Sequence, residues 1–114
     1  MKDIDKRVSI ITKACYDKKG FNVKVLNLKK ITPMADYFII ASGNSTIQTV
    51  AIADEVEEKM ETSGYPLLGK EGYQTGRWIL LDFGDIVVHV FHKEDREYYN
   101  LEKLWADGEE IELD

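Results

Sequence analysis

The chain has 114 residues, 44% of them hydrophobic and 32% charged, with 15 Lys and Arg against 21 Asp and Glu. That length suits one domain around one core, and the absence of low-complexity tracts or internal repeats excludes a disordered or fibrous chain. A formal charge of -6 opposes autonomous binding to nucleic-acid phosphates and favours a basic protein as partner.

The N-terminal MKDIDKR lacks the apolar core of a signal peptide, and its acidic residues disfavour an organelle transit peptide. No apolar run reaches the length of a membrane span, so a cytoplasmic protein without membrane contact is expected. Asp3 to about Lys19 should be helical, because Ile4, Val8, Ile11 and Cys15 fall at helical spacing. Asp3 is the expected cap, Gly20 the left-handed stop, and Lys18 and Lys19 complement the helix dipole. Cys15, the single cysteine, reads as a small buried residue; it allows no internal disulfide, and no Cys and His spacing suits a metal.

Alternation of Phe21, Val23 and Val25 marks a first strand from Phe21 to Leu28, ended by Ile31-Thr32-Pro33. Asp36 to Ser42 is apolar at nearly every position, as a central strand covered on both faces should be. A helix from about Thr46 to Ser63 follows, with Ser45 and Gln48 as a capping box and Gly64 as the stop. Its expected inward stripe is Ile47, Val50, Ala53, Val56 and Met60, and its many carboxylates form a solvated face. A short strand is expected at Pro66–Leu68, and Gly69 to Gly76, whose glycines lack phosphate-loop spacing, reads as a mobile surface loop.

Arg77 to Phe91 reads as a hairpin around Gly84-Asp85, a type II′ turn in which glycine supplies the positive φ. This register pairs Phe83 with Ile86, Leu81 with Val88 and Ile79 with Val90 on a wholly apolar core face. The opposite face pairs Asp82 with Val87, Leu80 with His89 and Trp78 with Phe91. Lys93 to Trp105 should form a helix in two turns of different direction, anchored by Tyr98, Leu101, Leu104 and Trp105. The acidic segment from Asp107 to Asp114 is expected to fray as a tail beyond a domain of residues 1–106.

Two chemistries compete. A nucleotide-handling enzyme could use the turn Ser42-Gly43-Asn44-Ser45 for an anion, with Asp82 and Asp85 for metal. Those two aspartates do not alternate along one strand face as a metal pair should, and the turn is explained by ordinary helix capping. His89 has no Ser or Cys partner identifiable in the sequence. The alternative is a protein-binding surface made of Trp78, Leu80, Asp82, Val87, His89 and Phe91, an aromatic and aliphatic set with a few polar groups, as in interface hot spots. The same face could instead be a second core layer under helices; composition leaves both open.

The blocks Ala35 to Ser45, Ile52 to Glu57, Gly76 to Phe91 and Arg96 to Trp105 closely resemble the ribosomal silencing factor, or Iojap-related, family. The resemblance implies a single mixed α/β domain, a five-stranded sheet flanked by helices, nucleotidyltransferase-like without its catalytic acids. It further implies a translation repressor, not an enzyme, without metal or cofactor. Such a protein binds a basic ribosomal protein on the intersubunit face of the large subunit and blocks joining of the small one. By position, the exposed side chains of the Trp78 and His89 strands become the expected contact surface. The chain departs from the family at Ile47-Gln48, where many members carry an arginine-histidine pair. Organelle members carry long N-terminal extensions, which favours a bacterial cytoplasmic protein here. An uncovered apolar face also predicts a homodimer when free.

Overall fold

In a computed structural model that describes residues 6–106 and 108–111, the hairpin forms as its alternation requires. Strands β4 (Trp78–Asp82) and β5 (Ile86–His92) pair with Leu81 opposite Val88 and Leu80 opposite His89. The turn closes through the Phe83 N–H donating to the Ile86 carbonyl at 2.9 Å, with Gly84 at φ +92°. Around it lie α1 (Lys6–Asp17), β1 (Phe21–Asn27), β2 (Tyr37–Gly43), α2 (Thr46–Thr62), β3 (Gly69–Glu71), α3 (Lys93–Tyr99), α4 (Leu101–Leu104) and β6 (Glu109–Ile111).

The sheet runs β3-β4-β5-β2-β1-β6, with β2 and β5 parallel and every other pair antiparallel. It is the expected mixed α/β domain with six strands in place of five. The additional strand comes from the segment expected to fray: Glu109, Glu110 and Ile111 pair with Asn27, Leu26 and Val25. A backbone ladder is indifferent to side-chain charge, and the open edge of β1 offers unpaired donors and acceptors. Lys24 Nζ adds an ion pair to Glu110 at 3.1 Å. At the opposite edge the short strand lies at Gly69–Glu71, three residues beyond its expected place. Pro66 has no N–H to donate, and the pairing starts where the Leu68 N–H meets the Asp82 carbonyl at 2.8 Å.

Gly69 to Gly76 is therefore not a plain surface loop. A Cβ at Gly72, where φ is +77°, would lie 1.9 Å from the Trp78 carbonyl oxygen, and Thr49 Oγ1 donates to the Gly76 carbonyl at 2.5 Å.

Helices α1 and α2 cover one sheet face, where Val8, Ile11, Cys15, Ile52, Val56 and Met60 meet Ile39, Ile79, Leu81, Val88 and Val90. The stop of α1 differs from expectation. Lys19 takes the left-handed conformation at φ +65°, while the Gly20 N–H donates back to the Cys15 carbonyl at 2.8 Å. Glycine is needed there for clearance, since a Cβ would stand 2.9 Å from the Cys15 oxygen. Asp3 and Ile4 lie outside the described residues.

The buried stripe of α2 is Thr49, Ile52, Ala53, Val56 and Met60, and Ile47 is 83% exposed. The expected stripe advanced by threes, and each three-residue step falls about 60° short of a full turn, so Ile47 ends roughly opposite Val56. Gln48 answers only half of the capping box: Ser45 Oγ accepts the Gln48 N–H at 3.1 Å, but Gln48 Oε1 accepts from Asn44 at 2.6 Å. Gln48 Nε2 donates to the Lys18 and Lys19 carbonyls, tying the end of α1 to the start of α2. The last helix does break in two, at Asn100 with φ +48°. Leu101 is buried there and Trp105 half-buried, while Tyr98 and Leu104, also expected as anchors, are exposed.

Candidate functional site

The second face of the hairpin carries the six residues singled out from the sequence, in the expected register: Trp78 opposite Phe91, Leu80 opposite His89, Asp82 opposite Val87. Trp78, Leu80, Asp82 and Val87 are half-buried, whereas His89 is 3% exposed and Phe91 is fully buried. Both were expected to be exposed. Phe91 is covered because α3 starts where β5 ends and folds back over it, and His89 because the rings of Trp78 and Phe38 lie against it. Trp78 stacks on Phe91 with ring centroids 4.9 Å apart, and Tyr99 lies 4.8 Å from Trp78. Phe91 thereby joins Leu26, Leu28, Ile40 and Leu101 in a second core cluster. One end of the face is a core layer, and the other is open.

The open end is a hollow of about 410 Å³ lined by Leu80, Asp82, Val87 and His89 from the hairpin, with Met34, Phe38, Glu71 and Trp105 around them. Phe38 reaches this face because parallel pairing sets it beside Val87. Its ring is edge-on to His89 at 4.7 Å and to Trp105 at 5.5 Å. The sequence reading missed Phe38, Glu71 and Met34 as parts of this surface. Phe38 was detectable, since it alternates with the core-facing Ile39. Two carboxylates, Asp82 and Glu71, line the hollow, and among the described residues no lysine or arginine does.

His89 has a defined protonation. The Trp78 indole Nε1–H donates to His89 Nδ1 at 3.1 Å, so Nδ1 carries a lone pair and the imidazole proton belongs on Nε2. Burial pushes its pKa down from 6.5 to about 4, keeping the ring neutral. Among the described residues, Nε2 has no hydrogen-bonding partner.

The rival residues are not brought together. Ser42 is buried and its Oγ accepts from Arg96 Nη1 at 2.8 Å. Arg96, which the sequence reading did not single out, also donates to the Asn22 carbonyl and grips Glu102 at 2.8 Å. The Asn44 N–H is taken by Gln48, and the Gly84 N–H donates to Asp82 Oδ1 at 2.8 Å. Ser42 pairs with Phe91 and Tyr37 with Ile86, next to Asp85. Six residue steps along the strand direction, roughly 20 Å, thus separate the proposed anion turn from Asp85.

The family described as "Ribosomal silencing factor during starvation" matches residues 1–114. The chain belongs to the ribosomal silencing factor family. It is 47% identical to ribosomal silencing factor RsfS of Halalkalibacterium halodurans over 107 residues, 94% of this chain and 92% of that one. The crystal structure of a protein from Chromobacterium violaceum aligns with a TM-score of 0.89 at 34% identity, covering 98% of this chain and 92% of that chain. The mouse "Mitochondrial assembly of ribosomal large subunit protein 1" is 31% identical over 91% of this chain and 45% of its own length. Membership of the silencing factor family is consistent with a ribosome-associated regulator of translation. Among the described residues, no helix is long and apolar enough to cross a membrane.

Proposed function

We propose that this ribosomal silencing factor represses translation without catalysis. It docks the open end of its β4–β5 face on a basic protein at the intersubunit face of the large ribosomal subunit, so that the small subunit cannot join. The observation that carries this reading is the hollow itself, lined by apolar Leu80, Val87 and Phe38 together with the carboxylates of Asp82 and Glu71. The formal charge of -6 favours the same class of partner. A large-subunit address also fits the mouse relative, whose name places it in assembly of that subunit.

Trp78, Leu80 and Val87 supply apolar contact, Asp82 supplies charge, and His89 and Phe91 act from beneath by fixing Trp78 in place. In the free protein, exposed Met34 and Leu104 favour a homodimer. The working compartment is the bacterial cytoplasm. Co-sedimentation with isolated large subunits tests the docking: wild type pellets, and Trp78→Ala, which removes the apolar flank of the open end and the hydrogen bond that holds His89, loses at least about 2 kcal/mol of binding, the range for a hot-spot aromatic. Failure of the wild type to pellet overturns the reading.

A further inference from the structure

We propose that His89 Nε2–H is a specificity-determining donor for the docked partner. It receives a backbone carbonyl oxygen from a lysine- or arginine-bearing polypeptide segment seated in the hollow, whose cation meets Asp82 and Glu71. This deepens the docking function proposed above and rests on it.

Three observations lead to this donor. The indole of Trp78 occupies Nδ1, which assigns the proton to Nε2. The two ring nitrogens face opposite sides of the imidazole. Trp78 stands at the Phe91 end of the face, outside the hollow, while His89 lines the hollow with the Phe38 ring edge-on against it, so Nε2 lies on the side of the imidazole away from Trp78. There the donor is buried without an acceptor, whereas buried polar groups are ordinarily paired. A partner that brings an oxygen to it therefore meets a group that gains a bond without giving one up, and a purely apolar partner does not.

The occupant follows from the remaining chemistry. Leu80, Val87, Phe38 and Trp105 exclude water from an inserted segment, and two carboxylates, with no lysine or arginine lining the hollow among the described residues, select a cationic one. Nε2 has under 1 Å² of accessible surface, so the carbonyl reaches it as the half-buried Phe38 ring, 4.7 Å from the imidazole, swings aside.

Sedimentation binding to purified large ribosomal subunits tests this with wild type, His89→Phe and His89→Gln, each checked for folding. His89→Phe keeps a ring but no donor, and the expected loss of affinity is about tenfold or more. His89→Gln, whose amide both donates and accepts, is expected within about threefold of wild type. Wild-type binding with an unimpaired His89→Phe, or equal losses in the two variants, overturns the donor while leaving the docking reading intact. A wild type that does not sediment overturns both. Should His89→Phe fail to fold, the ¹⁵N shifts of His89 in the free protein decide independently. An Nε2-protonated neutral ring supports the proposal, and an Nδ1-protonated ring overturns it.

Discussion

Trp78 and His89 are joined across neighbouring strands by one hydrogen bond, the indole Nε1–H donating to Nδ1 at 3.1 Å. The bond sets the histidine tautomer and holds the indole flat on Phe91. Trp78→Phe retains the stacking but removes the donor, leaving a buried acceptor unpaired. The expected cost is about 1–2 kcal/mol, read as a lower denaturant midpoint with an unchanged slope. A midpoint equal to wild type would mean that the bond contributes nothing.

The same histidine makes stability depend on pH. Its folded pKa of about 4 lies below the unfolded value of 6.5, so between those limits the unfolded chain binds the additional proton. Its contribution is complete above pH 6.5 and is lost as pH falls toward 4. The total is about 3 kcal/mol, because each tenfold change in proton affinity is worth about 1.4 kcal/mol. Urea unfolding at stepped pH should show this slope in the wild type and a flatter one in His89→Gln.

In α2, Ile47→Ser should leave the melting temperature unchanged, because that side chain is exposed. Ile52→Ala should cost about 2–4 kcal/mol, because Ile52 is fully buried between α1 and the sheet. The reverse ranking, measured by thermal unfolding, would restore the phase expected from the sequence.

This helix shows what the sequence does and does not disclose. The hairpin register was legible because strand alternation has a period of two, and a one-residue slip would turn every core residue outward. The two-part final helix and the caps Ser45 and Gly64 were legible because capping chemistry is local. The phase of α2 was not, because several apolar rows compete and the choice depends on Thr49 reaching Gly76 from a distant loop. Strand β6 was hidden for a similar reason: an acidic segment pairs only because β1 offers it an edge. In the site, all six residues do share one face. What local pattern could not reveal was that α3 covers Phe91, that the Trp78 and Phe38 rings close over His89, or that Phe38 completes the hollow from a strand far away in sequence.

The Ser42–Ser45 turn should not bind nucleotide. Ser42 Oγ is engaged by Arg96 and the Asn44 N–H by Gln48, so an entering phosphate would have to displace both. Isothermal titration with ATP and magnesium chloride should give no heat of binding. A saturable heat, lost in Ser42→Ala, would revive the enzyme reading.

Occlusion of subunit joining can be read from a sucrose gradient of mixed ribosomal subunits. With this protein added in excess, large and small subunits should sediment as separate peaks, the protein travelling with the large one, and the Leu80→Arg variant should let them join. Joined ribosomes that form normally while carrying the bound protein would contradict occlusion.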